Sequence, residues 1–138
     1  MKNFFYLIIL LLFSTKLSAD KSYLEEGMVL FENKNFKEAK FKFEQDIVFN
    51  PKSEKSYLYL ARIFKIEKKV NLEEINLNTV ILLNPKNEEA IYNLALLHLE
   101  KSNFSETKKN INLLSKVCKL KCNYIQELEK KLKNLQKK

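Results

Sequence analysis

The side chains best suited to chemistry in this chain are its only two cysteines, Cys118 and Cys122, with three residues between them. In an exported protein an even cysteine count favours a disulfide. Within a continuous helix the two sulfurs would approach with poor geometry, so the spacing calls for a helix break between them. Such a bond would pin the last helix to the one before it, and loop entropy makes it worth about 2 kcal/mol. A redox centre, two free thiols and a share in a metal site are the other states open to the pair. The spacing is not Cys-x-x-Cys and no βαβ pattern surrounds it, which weighs against redox work. With His98 the sole histidine, a zinc site cannot be completed and no metal is expected.

His98 lies on the packing face of a helical stretch, where a hydrogen-bonded, partly buried imidazole is the expected state. The acidic pairs Glu25-Glu26, Glu73-Glu74 and Glu88-Glu89 are neighbours on helices. Adjacent helical residues diverge by about 100°, so none of these pairs converges as an acid/base dyad. Helix-dipole and solvent roles suit them better. The sequence has no phosphate-binding loop, nucleophile elbow or metal-ligand cluster. It therefore reads as non-enzymatic, with no cofactor.

The elements that position these residues begin after an address segment. Lys2 gives a positive start, Phe4 to Phe13 is an unbroken apolar run of ten residues, and Leu17-Ser18-Ala19 offers a cleavage site. That is the layout of a signal peptide over residues 1–19, and the run is too short to span a bilayer comfortably. Export to the periplasm of a Gram-negative bacterium is the expected destination, with an uncleaved anchor as the alternative. Cleavage would leave 119 residues, Asp20 to Lys138, and lower the formal charge from +8 to +6. One domain of ordinary size is expected. The basic residues are 24 lysines and one arginine, Arg62, which argues against nucleic acid, whose readers favour the arginine fork.

Small residues recur 34 apart as Gly27, Ala61 and Ala95, and Asn50-Pro51 is followed at the same interval by Asn84-Pro85. A period of that length marks stacked helical hairpins. Apolar residues at helical spacing fit it: Tyr23 to Phe31, then Phe36 to Ile47, Tyr57 to Phe64, Val70 to Ile81, Ile91 to Leu99 and Phe104 to Leu114. Ile125, Leu128, Leu132 and Leu135 mark a seventh helix. Ser22 or Asp20, Ser53 and Asn87 are available as N-caps. No segment alternates like a strand. Repeats are placed at 20–53, 54–87 and 88–121, with a capping helix over 122–138.

These phased positions resemble tetratricopeptide repeats. The first repeat supplies Tyr23, Gly27, Ala39, Phe43 and Pro51 at the family's places. Tyr57, Leu60, Ala61, Phe64, Leu77 and Pro85 fill those places in the second repeat, and Ile91, Leu94, Ala95 and Ile111 in the third. Glu73 stands where a small residue is usual, Thr107 likewise, and Lys119 replaces the third proline. The resemblance implies an all-α solenoid of three antiparallel hairpins in a right-handed superhelix plus a capping helix.

It also implies that the first helix of each hairpin lines a concave groove. The projected lining is Leu24, Met28 and Phe31, then Leu58, Tyr59, Arg62 and Lys65, then Tyr92, Asn93 and Leu96. An apolar, aromatic surface with one basic patch suits an extended or helical protein segment. The family's chaperone-tail clamp is not matched, because Leu24, Met28, Tyr59, Glu89 and Asn93 occupy its places. The alternative for the groove is that some of these side chains pack internally or lie under the last helix. The expected partner is another protein, bound by an adaptor of the cell envelope. A membrane-surface role for the lysine-rich end (Lys130, Lys131, Lys133, Lys137, Lys138) and a thiol–disulfide role for Cys118 and Cys122 are the other readings. Nothing in the residues sets an oligomeric state.

Overall fold

The computed structural model describes residues 22–119 and 122–136; the expected signal peptide lies outside them. The described residues form seven helices and no strand. They run α1 (Tyr23–Glu32), α2 (Phe36–Phe49), α3 (Glu54–Ile66), α4 (Val70–Leu83), α5 (Glu88–Glu100), α6 (Phe104–Val117) and α7 (Asn123–Leu135). The first six pair as three antiparallel hairpins stacked into an all-α solenoid, and α7 closes its end against α5 and α6.

Each hairpin turns at a residue in the left-handed region: Lys34 (φ 60°), Lys68 (φ 57°) and Ser102 (φ 57°). None is glycine, yet the 34-residue interval is kept. Beside each, two crossed backbone bonds close a Schellman motif. Lys34 N–H donates to the Phe31 carbonyl at 2.9 Å and Asn35 N–H to Leu30 at 2.9 Å. Lys68 and Lys69 bond Lys65 and Phe64 in the same way, and Ser102 and Asn103 bond Leu99 and His98.

The interval also governs the joints between hairpins. Asn50, Asn84 and Cys118 each end a second helix. The Glu54 carboxylate accepts from the Asn84 and Asn87 side-chain amides. One repeat later, Glu88 accepts the Lys119 backbone N–H at 2.7 Å, a donor that exists because proline is absent there. Glu88 thus ties down a turn.

Ser22 and Asn87 cap their helices, accepting from Glu25 N–H at 3.2 Å and Ala90 N–H at 2.8 Å. Ser53 makes no side-chain cap bond. Its hydroxyl donates instead to Ser56 Oγ, which donates to Asp46 Oδ2, in a cluster buried between α2 and α3. At the next joint Val80 and Ala90 fill the places of Asp46 and Ser56, and both are fully buried. At these two buried places the joints therefore differ in chemistry: the first is hydrogen-bonded, the second apolar.

The core is a chain of three clusters along the solenoid. Ala39, Phe43, Leu60, Ile63 and Phe64 join the first two hairpins. Leu58, Ala61, Leu77, Val80, Ala90, Leu94 and Leu97 join the second and third. Ile91, Ala95, Leu99, Ile111 and Leu114 pack against Leu128 and Leu132 of α7. A stack of hairpins leaves its last face bare, and α7 is the lid that this geometry demands. Gly27 faces the Phe43 ring, and Ala61 and Ala95 are buried at the matching places.

Candidate functional site

The first helices of successive hairpins line one side of the solenoid, and the projected groove residues divide into three groups there. Leu24, Met28 and Phe31 on α1 are partly buried against the first core cluster and leave a half-exposed apolar wall. Tyr59 continues that wall. Its ring packs edge-on to Phe31 at 5.1 Å and stacks on Phe43 at 4.9 Å.

The second group is polar. Arg62 lies over the Tyr59 ring, its Cζ 4.7 Å from the centroid. It forks onto one Glu89 oxygen, with Nε at 2.8 Å and Nη2 at 2.6 Å. Lys65 Nζ donates to Asn93 Oδ1 at 3.3 Å, and the Asn93 amide donates to the Glu89 carbonyl at 2.9 Å. Ring and carboxylate together hold the guanidinium flat, so little side-chain freedom remains to be lost on binding. Beneath these groups a small pocket opens between Leu58, Ala61, Arg62, Lys65, Glu73, Leu77 and Asn93. Leu58 is buried in its wall.

Glu73, which occupies a small-residue place in the repeat, supplies a carboxylate to this pocket and is only 5% exposed. Burial pushes its carboxyl above the usual range, with the Lys65 charge opposing and Glu100 reinforcing the rise. A carboxyl raised in the fold favours the folded state when protonated; that contribution is complete below the unfolded value of 4.5 and is lost as pH rises through the folded value. Glu73→Gln is therefore expected to stabilise the protein at neutral pH. The gain should shrink toward zero below about pH 4, where the native side chain is protonated in both states. Urea midpoints of the two proteins across that range measure it.

The third group lies under α7. Tyr92 stacks on Tyr124 with centroids 4.0 Å apart, and its hydroxyl donates to Glu127 Oε1 at 3.0 Å. Desolvation, then the bond and charge of Glu127, push its phenol up to about 12. Leu96 packs into the same cluster as Leu128 and Leu132. The open groove accordingly runs from α1 to the Arg62 and Asn93 region and ends where α7 begins.

Residues that could do chemistry elsewhere are tied into structure. His98 is buried, and its Nδ1 lies 3.9 Å from Glu74 Oε1, beyond hydrogen-bonding distance. The other Glu74 oxygen pairs with Lys101 at 2.7 Å. Cys118 and Cys122 sit close, with Cα atoms 5.3 Å apart, across the break between α6 and α7. No group of three metal-ligating side chains occurs among the described residues, and no helix there is long and apolar enough to cross a membrane. The groove residues that sequence reasoning missed are Glu73 and the pairing of Glu89 with Arg62. The only signal for either was a charged residue at a place where the repeat wants something else.

No protein-family model and no curated protein matches the chain. Solved structures do share its fold. The type III secretion translocator chaperone SycD of Yersinia enterocolitica superposes with a TM-score of 0.71 at 12% identity, covering 91% of this chain and 90% of its own. SycD in complex with a peptide of the translocator YopD gives 0.71 at 13% identity, covering 84% and 92%. A chain of the CopN–Scc3 complex gives 0.66 at 16% identity over 80% of this chain, which spans 65% of that one. The protein thus shares the helical-repeat fold of these structures.

Proposed function

We propose that this is a non-enzymatic tetratricopeptide adaptor, exported to the bacterial cell envelope after cleavage following Ala19, that holds a segment of another protein in its concave groove. The observation that carries this reading is the continuous wall of Leu24, Met28, Phe31 and Tyr59 leading to the immobilised Arg62. Apolar side chains of a partner would lie on the wall, and a carboxylate or backbone carbonyl would meet the basic end at Arg62 and Lys65. Support also comes from the fold relatives, one of which is a chaperone in complex with a translocator peptide. Cys118 and Cys122 form a structural disulfide in this reading, doing for the last joint what Asn-Pro does for the earlier two.

The test must avoid the aromatic residues, because Tyr59 and Tyr92 each carry packing that their removal would destroy. Photo-crosslinking side chains placed at Met28 and at Lys65 in intact cells are expected to give a discrete adduct with one protein. The same probe at Lys116, on the opposite side of its hairpin, should give none. Met28→Glu should weaken capture at least about 10-fold, which is ~1.4 kcal/mol of binding. Failure of both groove probes, or an equal adduct from Lys116, would overturn the groove.

A further inference from the structure

At the second hairpin the repeat breaks its own rule, and the break faces the groove. Ala39 and Thr107 stand 34 residues before and after Glu73, and both are fully buried. The Thr107 hydroxyl is satisfied one turn back, where it donates to the Asn103 carbonyl. Glu73 has no such outlet. It is only 5% exposed, yet its carboxyl group makes no hydrogen bond or ion pair among the described residues. A carboxyl group in that state carries the cost of lost water without a replacement donor.

The pocket that Glu73 lines has two kinds of wall. Leu58, Ala61 and Leu77 are buried and apolar, while Arg62, Lys65 and Asn93 form a polar, more exposed rim. Arg62 is already engaged by Glu89, and Lys65 by Asn93, so neither turns inward to bond Glu73. The free space has room for about one group the size of a water molecule.

We propose that Glu73 determines the specificity of the groove, selecting a partner segment whose serine or threonine hydroxyl enters this pocket, a role that rests on the groove reading above. A hydroxyl can donate to an ionised carboxylate and accept from a protonated one. It therefore satisfies Glu73 in either state, which suits a carboxyl that burial pushes up and the Lys65 charge pulls down. The methyl group of a threonine would meet Leu58, Ala61 and Leu77. Other side chains fit less well. Lysine or arginine is too large and would have to pass Arg62 and Lys65, which carry its own charge. Aspartate or glutamate would set a second carboxylate beside the first, and belongs at the rim instead. An apolar group would fill the space and seal Glu73 off unpaired.

Short random peptides displayed on phage and selected against the purified full chain are the probe. Binders are expected to carry serine or threonine beside apolar residues and to lose affinity with Met28→Glu. Replacing that threonine by valine, or that serine by alanine, removes the hydroxyl with little change of shape. It should weaken binding by about 10-fold, as for loss of a hydrogen bond to a charged group. Glu73→Ala and Glu73→Thr remove the carboxylate in favour of residue types that the first and third repeats hold at this place. On both variants the same peptide replacement should change affinity by no more than about twofold. Suppose binders respond to Met28→Glu but lack serine and threonine, or lose as much with the hydroxyl on both Glu73 variants as on the wild type. Either result would overturn the role of Glu73 and leave the groove standing. Binders indifferent to Met28→Glu, or none at all, would overturn the groove reading and this role with it.

Discussion

Phe43→Ala is expected to destabilise the fold by roughly 3–5 kcal/mol and to reverse the sign of a second substitution, Gly27→Ala. A Cβ at position 27 would lie 2.7 Å from Cε1 and 2.8 Å from Cδ1 of the Phe43 ring. The ring has no exposed surface and is stacked on Tyr59, so it has little room to retreat. In the native protein, overpacking of about 1–3 kcal/mol outweighs the ~1 kcal/mol that alanine gains over glycine inside a helix. Without the ring the clash is gone, and Gly27→Ala should stabilise by up to about 1 kcal/mol. Urea unfolding of the four proteins gives the coupling directly. Equal effects of Gly27→Ala in both backgrounds would show that the ring yields freely.

The second large effect is expected at the lid. Leu128 is fully buried against the third hairpin, and Leu128→Ala should cost about 2–5 kcal/mol. Loosening α7 also releases Tyr92 from Tyr124 and Glu127. The phenol held at about 12 should then move back toward its ordinary value, which an ultraviolet titration would record. The same phenol sets an alkaline limit for the native protein. Its folded pKa stands above the unfolded value of 10.0, so the stability tied to the neutral ring is lost as pH rises from there through about 12. A Leu128→Ala protein with unchanged stability and an unchanged tyrosine titration would mean that α7 is only loosely attached.

Much of the architecture was legible because local rules repeat. Gly27, Ala61 and Ala95, with the two Asn-Pro steps, marked the hairpin interval, and the apolar spacing marked seven helices. The left-handed backbone at Lys34, Lys68 and Ser102 was not legible, since no glycine announces it. Ser53 looked like a cap and proved instead to donate to Ser56 Oγ, which donates in turn to the buried Asp46 carboxylate. The groove was legible only as a list of positions on first helices. That Glu89 holds Arg62, that Glu73 lines the pocket and that Tyr92 lies beneath Tyr124 depend on how successive hairpins rotate against one another. Such contacts link residues about one repeat apart, and no periodicity in the chain encodes that rotation.

The buried Asp46–Ser56–Ser53 cluster gives the solenoid a direction. The second joint holds Val80 and Ala90 at these buried places and carries its polar bonds part-buried beside them, from Asn84 and Asn87 to Glu54 and from Arg62 to Glu89. The first hairpin, which carries Leu24, Met28 and Phe31, is thus joined to the rest through a buried polar contact that has no counterpart at the matching places of the second joint.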